Sequence, residues 1–320
     1  MTATARHRVT GTPLVSAQWL ATVLVAASLV ELMILRVGTR TAIHIPGLEE
    51  IAGPYRVFAA TGRLAFFAAV VLLAVLLPYL ARELLVARQS HAAATLSIFV
   101  IFAGLGALRV IGSNVMAPAV TAIIASLAVV VLGRERRPLN VVVGLFILAY
   151  LAHASYGILQ SSFGVEATRS FRRVPLAAEL VAVLAAAASG PLMRRALGLA
   201  VAPSRRMMWA SFVVGVVVTG AIVANPSTVH ILMLWNFGLT GSLPAAAYGF
   251  AAASLTVAIA SSLRAGRQQL ALALTLLFLG GMGLTSTYQS GLVVAGLGLL
   301  GLAVGRDNRS VDVAGSAARR

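Results

Sequence analysis

The feature that most constrains this chain is a succession of uninterrupted apolar runs, each about 18–22 residues long. Runs of that length cross the roughly 30 Å hydrocarbon core as helices. They do not alternate between apolar and polar residues, so a closed β-barrel is excluded. Charged residues make up 11% of the 320-residue chain, against 59% hydrophobic ones. A soluble domain of this size carries roughly a quarter of its residues as charges. The expected fold class is an all-α integral membrane protein of the cell membrane, with the lipid bilayer as its first partner.

Ten spans are predicted, at about 17–37, 63–81, 93–111, 115–133, 140–161, 174–193, 207–225, 244–263, 268–285 and 290–305. The chain is expected to form one polytopic domain over 1–320, with a disordered tail at 306–320. The N-terminus has a basic start and an apolar stretch but no small-residue cleavage site, which predicts an uncleaved first helix. Every basic residue other than histidine is arginine. With the N-terminus in the cytoplasm, 17 arginines fall on inner segments and eight on outer ones. That asymmetry predicts cytoplasmic termini.

Several chemistries are excluded. Without cysteine there are no disulfides or thiolate sites, and without lysine there is no Schiff base. No phosphate-binding loop, zinc-protease helix or serine-hydrolase elbow occurs in the sequence. A strongly basic balance can signal nucleic acid, but these arginines are spaced as topology determinants, so that partner is rejected.

Two repeats compete. In a parallel one, units 17–135 and 207–307 flank two central helices in 140–193. Trp19 then meets Trp209, His44 meets His230, and "ARQ" (87–89) meets "GRQ" (266–268). The rival is inverted: "LGRERRPLNVVVG" (132–144) and "LGGMGLTSTYQSG" (279–291) share two glycines eleven residues apart. The stretch "PYRVFAATGRLAFFAAVVLL" (54–73), with Arg63, also resembles the second helix of the drug/metabolite transporter superfamily. Ten spans and cytoplasmic termini are similar to that superfamily, which implies a five-plus-five fold and a permease; the long 38–62 connection departs from it.

Ionisable groups inside a membrane are functional candidates because burying them is costly. Here these and other polar groups gather in the outer halves: Glu31, Arg36, Arg63, Arg109, His153, Tyr156, Glu179 and Asn225. The inner halves hold little beyond serine and threonine. Each group also has a structural reading, as an ion pair, a snorkelling arginine or a histidine bonded to a neighbouring helix. The outer segments "TAIHIPGLEEIAGP" and "STVHILMLWNFGLTGSLP" each place a histidine just beyond a long helix. His44, His230 and His153 are thus candidate axial ligands for a haem b near the outer face. The leading expectation is a non-catalytic membrane subunit that anchors haem or passes electrons to an extracytoplasmic redox partner or another membrane subunit. A ten-helix transporter is the alternative, and an outer-face enzyme acting on a lipid-linked substrate the third. The glycines from Gly280 to Gly305 are expected to allow close helix packing.

Overall fold

The computed structural model describes residues 17–34, 52–132, 138–171, 204–224, 242–281 and 287–317, together with part of 174–192. Among these residues the chain is helical throughout apart from its turns. The helices are α1 (Ala17–Glu31), α2 (Ala52–Val86), α3 (Ser90–Ala107), α4 (Ser113–Leu132), α5 (Pro138–Ala167), α6 (Arg205–Ala224), α7 (Ser242–Arg264), α8 (Gln268–Gly281) and α9 (Thr287–Ala317). The residues described between 174 and 192 are also helical. Among the described residues, three stretches are long and apolar enough to cross a membrane: Ala17–Ile34, Val57–Val86 and Ser90–Ala107. Shorter apolar helices follow in α4, α7, α8 and α9.

Two expectations need correction. Residues 52–62, read as the end of an outer connector, are the first turns of the 35-residue α2. Pro54 sits in the first turn, where its missing N–H breaks no helical bond, so nothing stops the helix from starting there. At about 1.5 Å per residue, α2 is longer than a bilayer core is thick. Residues 306–317, expected as a disordered tail, continue α9 as helix. Once the apolar part of α9 has nucleated, each further residue adds a hydrogen bond, and no proline intervenes.

Short turns set the packing order. The connections at 87–89 and 265–267 share one geometry. Arg88 (φ 58°) and Gly266 (φ 70°) each occupy the left-handed position after a helix. The Arg88 N–H donates to Leu85 and the Gln89 N–H to Leu84; likewise Gly266 donates to Leu263 and Arg267 to Ser262. This double closure satisfies carbonyls the helix end would leave open. It equates Arg88 with Gly266, one residue away from the register in which "ARQ" meets "GRQ".

Helix α9 is the axis of the bundle, packed against α8, α2, α4 and α3. It is buried continuously from Gln289 to Leu302. A helix enclosed in this way is held by close van der Waals contact with its neighbours. Glycines permit it. A Cβ on Gly296 would lie 3.0 Å from the Ala273 carbonyl of α8, and one on Gly298 would lie 3.0 Å from Leu96 of α3. A second close crossing joins α6 to α7, where a Cβ on Gly249 would come 2.6 Å from the Gly215 carbonyl. The expected glycine packing is therefore internal at these positions. Around the core, large apolar side chains face outward, among them Phe67, Val71, Ile101, Val129, Leu148, Phe212 and Phe250. That exterior is compatible with a membrane location.

Candidate functional site

The buried face of α1 consists of Ala17, Leu20, Ala21, Leu24, Ser28 and Glu31, a helical stripe that turns polar in its last two members. Residues 32–34 then adopt π-helical geometry, a widened turn common at functional sites. Ser28 is 2% exposed and Glu31 6%. The first turn of α9 meets this end. The Ser28 and Tyr288 hydroxyl oxygens lie 2.7 Å apart, sharing one hydrogen bond across 260 residues of sequence. Phe66 of α2 closes over the tyrosine edge-on, with ring centroids 5.2 Å apart. Next to Tyr288, Gln289 (3% exposed) and Ser290 (6%) are also buried. Glu31, Tyr288, Gln289 and Ser290 all have interaction partners beyond this pair.

The cluster follows from local structure. The i, i+3 spacing of Ser28 and Glu31 puts both on the face α1 turns inward. In α9, "TYQS" runs from the exposed Thr287 and half-buried Tyr288 into the buried Gln289 and Ser290, whose polar groups must pair inside the bundle. Chemically, the set offers one carboxyl, three hydroxyls and one carboxamide. Such a set can hold a proton, a cation or a small polar solute without covalent chemistry.

Of the predicted site residues, Glu31 alone falls in this cluster. Arg63 on α2 and Arg109 after α3 are exposed. Arg109 (φ 57°) takes the left-handed position that ends α3, its N–H bonded to the Gly106 carbonyl. Tyr156 is buried on α5, a helix that packs against α4. His153 is a backbone position of α5 whose side chain lies outside the described residues. Arg36, His44, Glu179, Asn225 and His230 also lie outside them. Among the described residues there is no group of three His, Asp or Glu able to hold a metal ion.

Sequence reasoning missed Ser28, Tyr288, Gln289 and Ser290. The available signal was six consecutive polar residues, 285–290, at the mouth of the last apolar run. It also passed over buried amides at the opposite helix ends, Gln89, Asn140 and Gln269. Gln89 Nε2 donates to the Gly301 carbonyl at 2.8 Å, tying the α2–α3 turn to α9. Near these ends, a cavity of about 30 Å³ lies among Val142, Val143, Ser189, Leu255 and Leu274. It has room for one water-sized group and no solute. No family model, curated protein or solved structure matches this chain.

Proposed function

We propose that this is a ten-span protein of the cell membrane, with both termini cytoplasmic, and that it carries a small polar or cationic solute. The Glu31–Ser28–Tyr288 cluster at the outer end of α1 and α9 is its binding site. The observation that carries this reading is a buried carboxyl, Glu31, one helical turn from a buried serine hydroxyl that bonds the half-buried Tyr288, in a bundle with an apolar exterior. Intramembrane ionisable groups mark solute and ion pathways, and carriers place such groups between helices that move against each other. The arginine asymmetry and the three long apolar stretches support the membrane placement.

The chain contains no cysteine, so single cysteines can be labelled without background. In a carrier, Ser290→Cys in sealed vesicles of known orientation should react with a membrane-impermeant maleimide from both sides. Labelling from the outside alone overturns the carrier reading in favour of an outer-face site. No labelling from either side would make the cluster a sealed structural contact.

The paired positions of His44 and His230, each just beyond a long helix, support a second reading, the haem-binding or electron-transfer subunit. Its check is the visible spectrum of purified protein before and after dithionite. If no Soret band appears, that reading fails. A band that His44→Ala and His230→Ala both leave unchanged removes them as ligands.

A further inference from the structure

The α6–α7 pair carries a basic group that the solute site does not use. Ser204 caps α6: its hydroxyl oxygen accepts the Met207 N–H at 3.3 Å. The same oxygen accepts Arg264 Nη2 at 3.0 Å, although Arg264 ends α7, sixty residues away. This bond brings the Arg264 guanidinium to the capped start of α6, whose first two residues are Arg205 and Arg206, and all three arginines are exposed. With both acceptor positions of the Ser204 oxygen filled, its O–H remains a donor. No Asp or Glu occurs anywhere between Glu179 and Asp307, so the segments that build this group supply no counter-charge. One and two turns further along α6, Trp209 and Phe212 point outward, 62% and 59% exposed, with their rings 5.8 Å apart edge to face. Three cations and a hydroxyl thus lie directly beside an outward apolar face with a tryptophan at its border. That is the chemistry of a lipid headgroup level.

We propose that Ser204, Arg205, Arg206 and Arg264 form a binding site for the phosphate of an anionic phospholipid, whose acyl chains lie along Trp209 and Phe212. The guanidinium groups match phosphate oxygens in planar, two-pronged geometry, and the capped start of α6 adds its favourable dipole. The site rests on the membrane placement proposed above and not on the carrier reading. A failure here leaves the Ser290→Cys result unaffected, and the reverse also holds.

The test is native mass spectrometry of the full-length chain in neutral detergent, titrated with phosphatidylglycerol or phosphatidylcholine. Phosphatidylglycerol should bind in preference. Arg264→Gln should weaken it by about tenfold, the loss of one charge-assisted contact, and Arg205→Gln with Arg206→Gln, which removes two, by more than about tenfold. Ser204→Ala should weaken it with every charge retained. Arg82→Gln removes an exposed arginine from α2 and should change nothing. Equal binding of both lipids overturns the proposal, as does an Arg82→Gln loss as large as that of Arg264→Gln. Displacement of the lipid by inorganic phosphate at matching concentration would assign the group to a free anion instead. Should Arg264→Gln fail to fold, the Arg205→Gln, Arg206→Gln pair carries the same test.

Discussion

The Ser28–Tyr288 hydroxyl pair joins the first and last helices through one hydrogen bond inside an apolar bundle. Removing one partner takes this bond from the other, at a cost of about 0.5–1.5 kcal/mol. Tyr288→Phe and Ser28→Ala should each lower the thermal midpoint in detergent. The double variant should be less destabilised than the sum of the two, because neither hydroxyl is then left alone. Arg88 sets a different residue-scale condition. Its left-handed backbone is strained for any residue with a Cβ, and the α7–α8 turn uses glycine at the equivalent place. Arg88→Gly should stabilise the protein by about 0.5–1 kcal/mol, read as a raised midpoint.

At the scale of elements, glycines decide which helices touch. The α6–α7 crossing stacks Gly215 and Thr219 against Gly249 and Ala253, small residues four apart on both helices. A Cβ on Gly249 would meet the Gly215 backbone and the Thr219 hydroxyl. Backbone cannot yield as a flexible side chain can. Gly249→Ala should therefore part the two helices at a cost of about 1–3 kcal/mol, measured as a lower thermal midpoint. Gly104→Ala is the control, because a Cβ there meets nothing within 4 Å; it should be neutral or mildly stabilising. The Ser254 hydroxyl also donates to the Ala187 carbonyl, so α7 holds a helix on either flank. Its displacement should disturb both.

For the whole molecule, the proposed arrangement predicts sidedness that two positions can check. Ser310→Cys, on the cytoplasmic extension of α9, should react with impermeant maleimide only after cells are opened. Ser170→Cys, in the turn after α5, should react in intact cells. The opposite result at both positions would invert the topology, and a split result would break the span count. The all-helical character and the long apolar helices were legible in the sequence, because uninterrupted apolar runs of that length fit helices and not alternating strands. The site was less legible. Glu31 stood out as a charge in an apolar run, whereas Ser28 and Tyr288 are residue types that pass unnoticed there.

Span length, apolar character and arginine placement belong to the sequence alone, because the solvent reads them one helix at a time. So do the excluded chemistries, which need residues this chain lacks. Only the tertiary structure decided that α9 is the central helix, that α2 starts eleven residues early, and that Ser28 faces Tyr288. Helices that are apolar all round carry little periodic signal for which face meets a neighbour and which meets lipid. That choice falls to a few glycines and buried polar groups, whose partners lie up to 260 residues away.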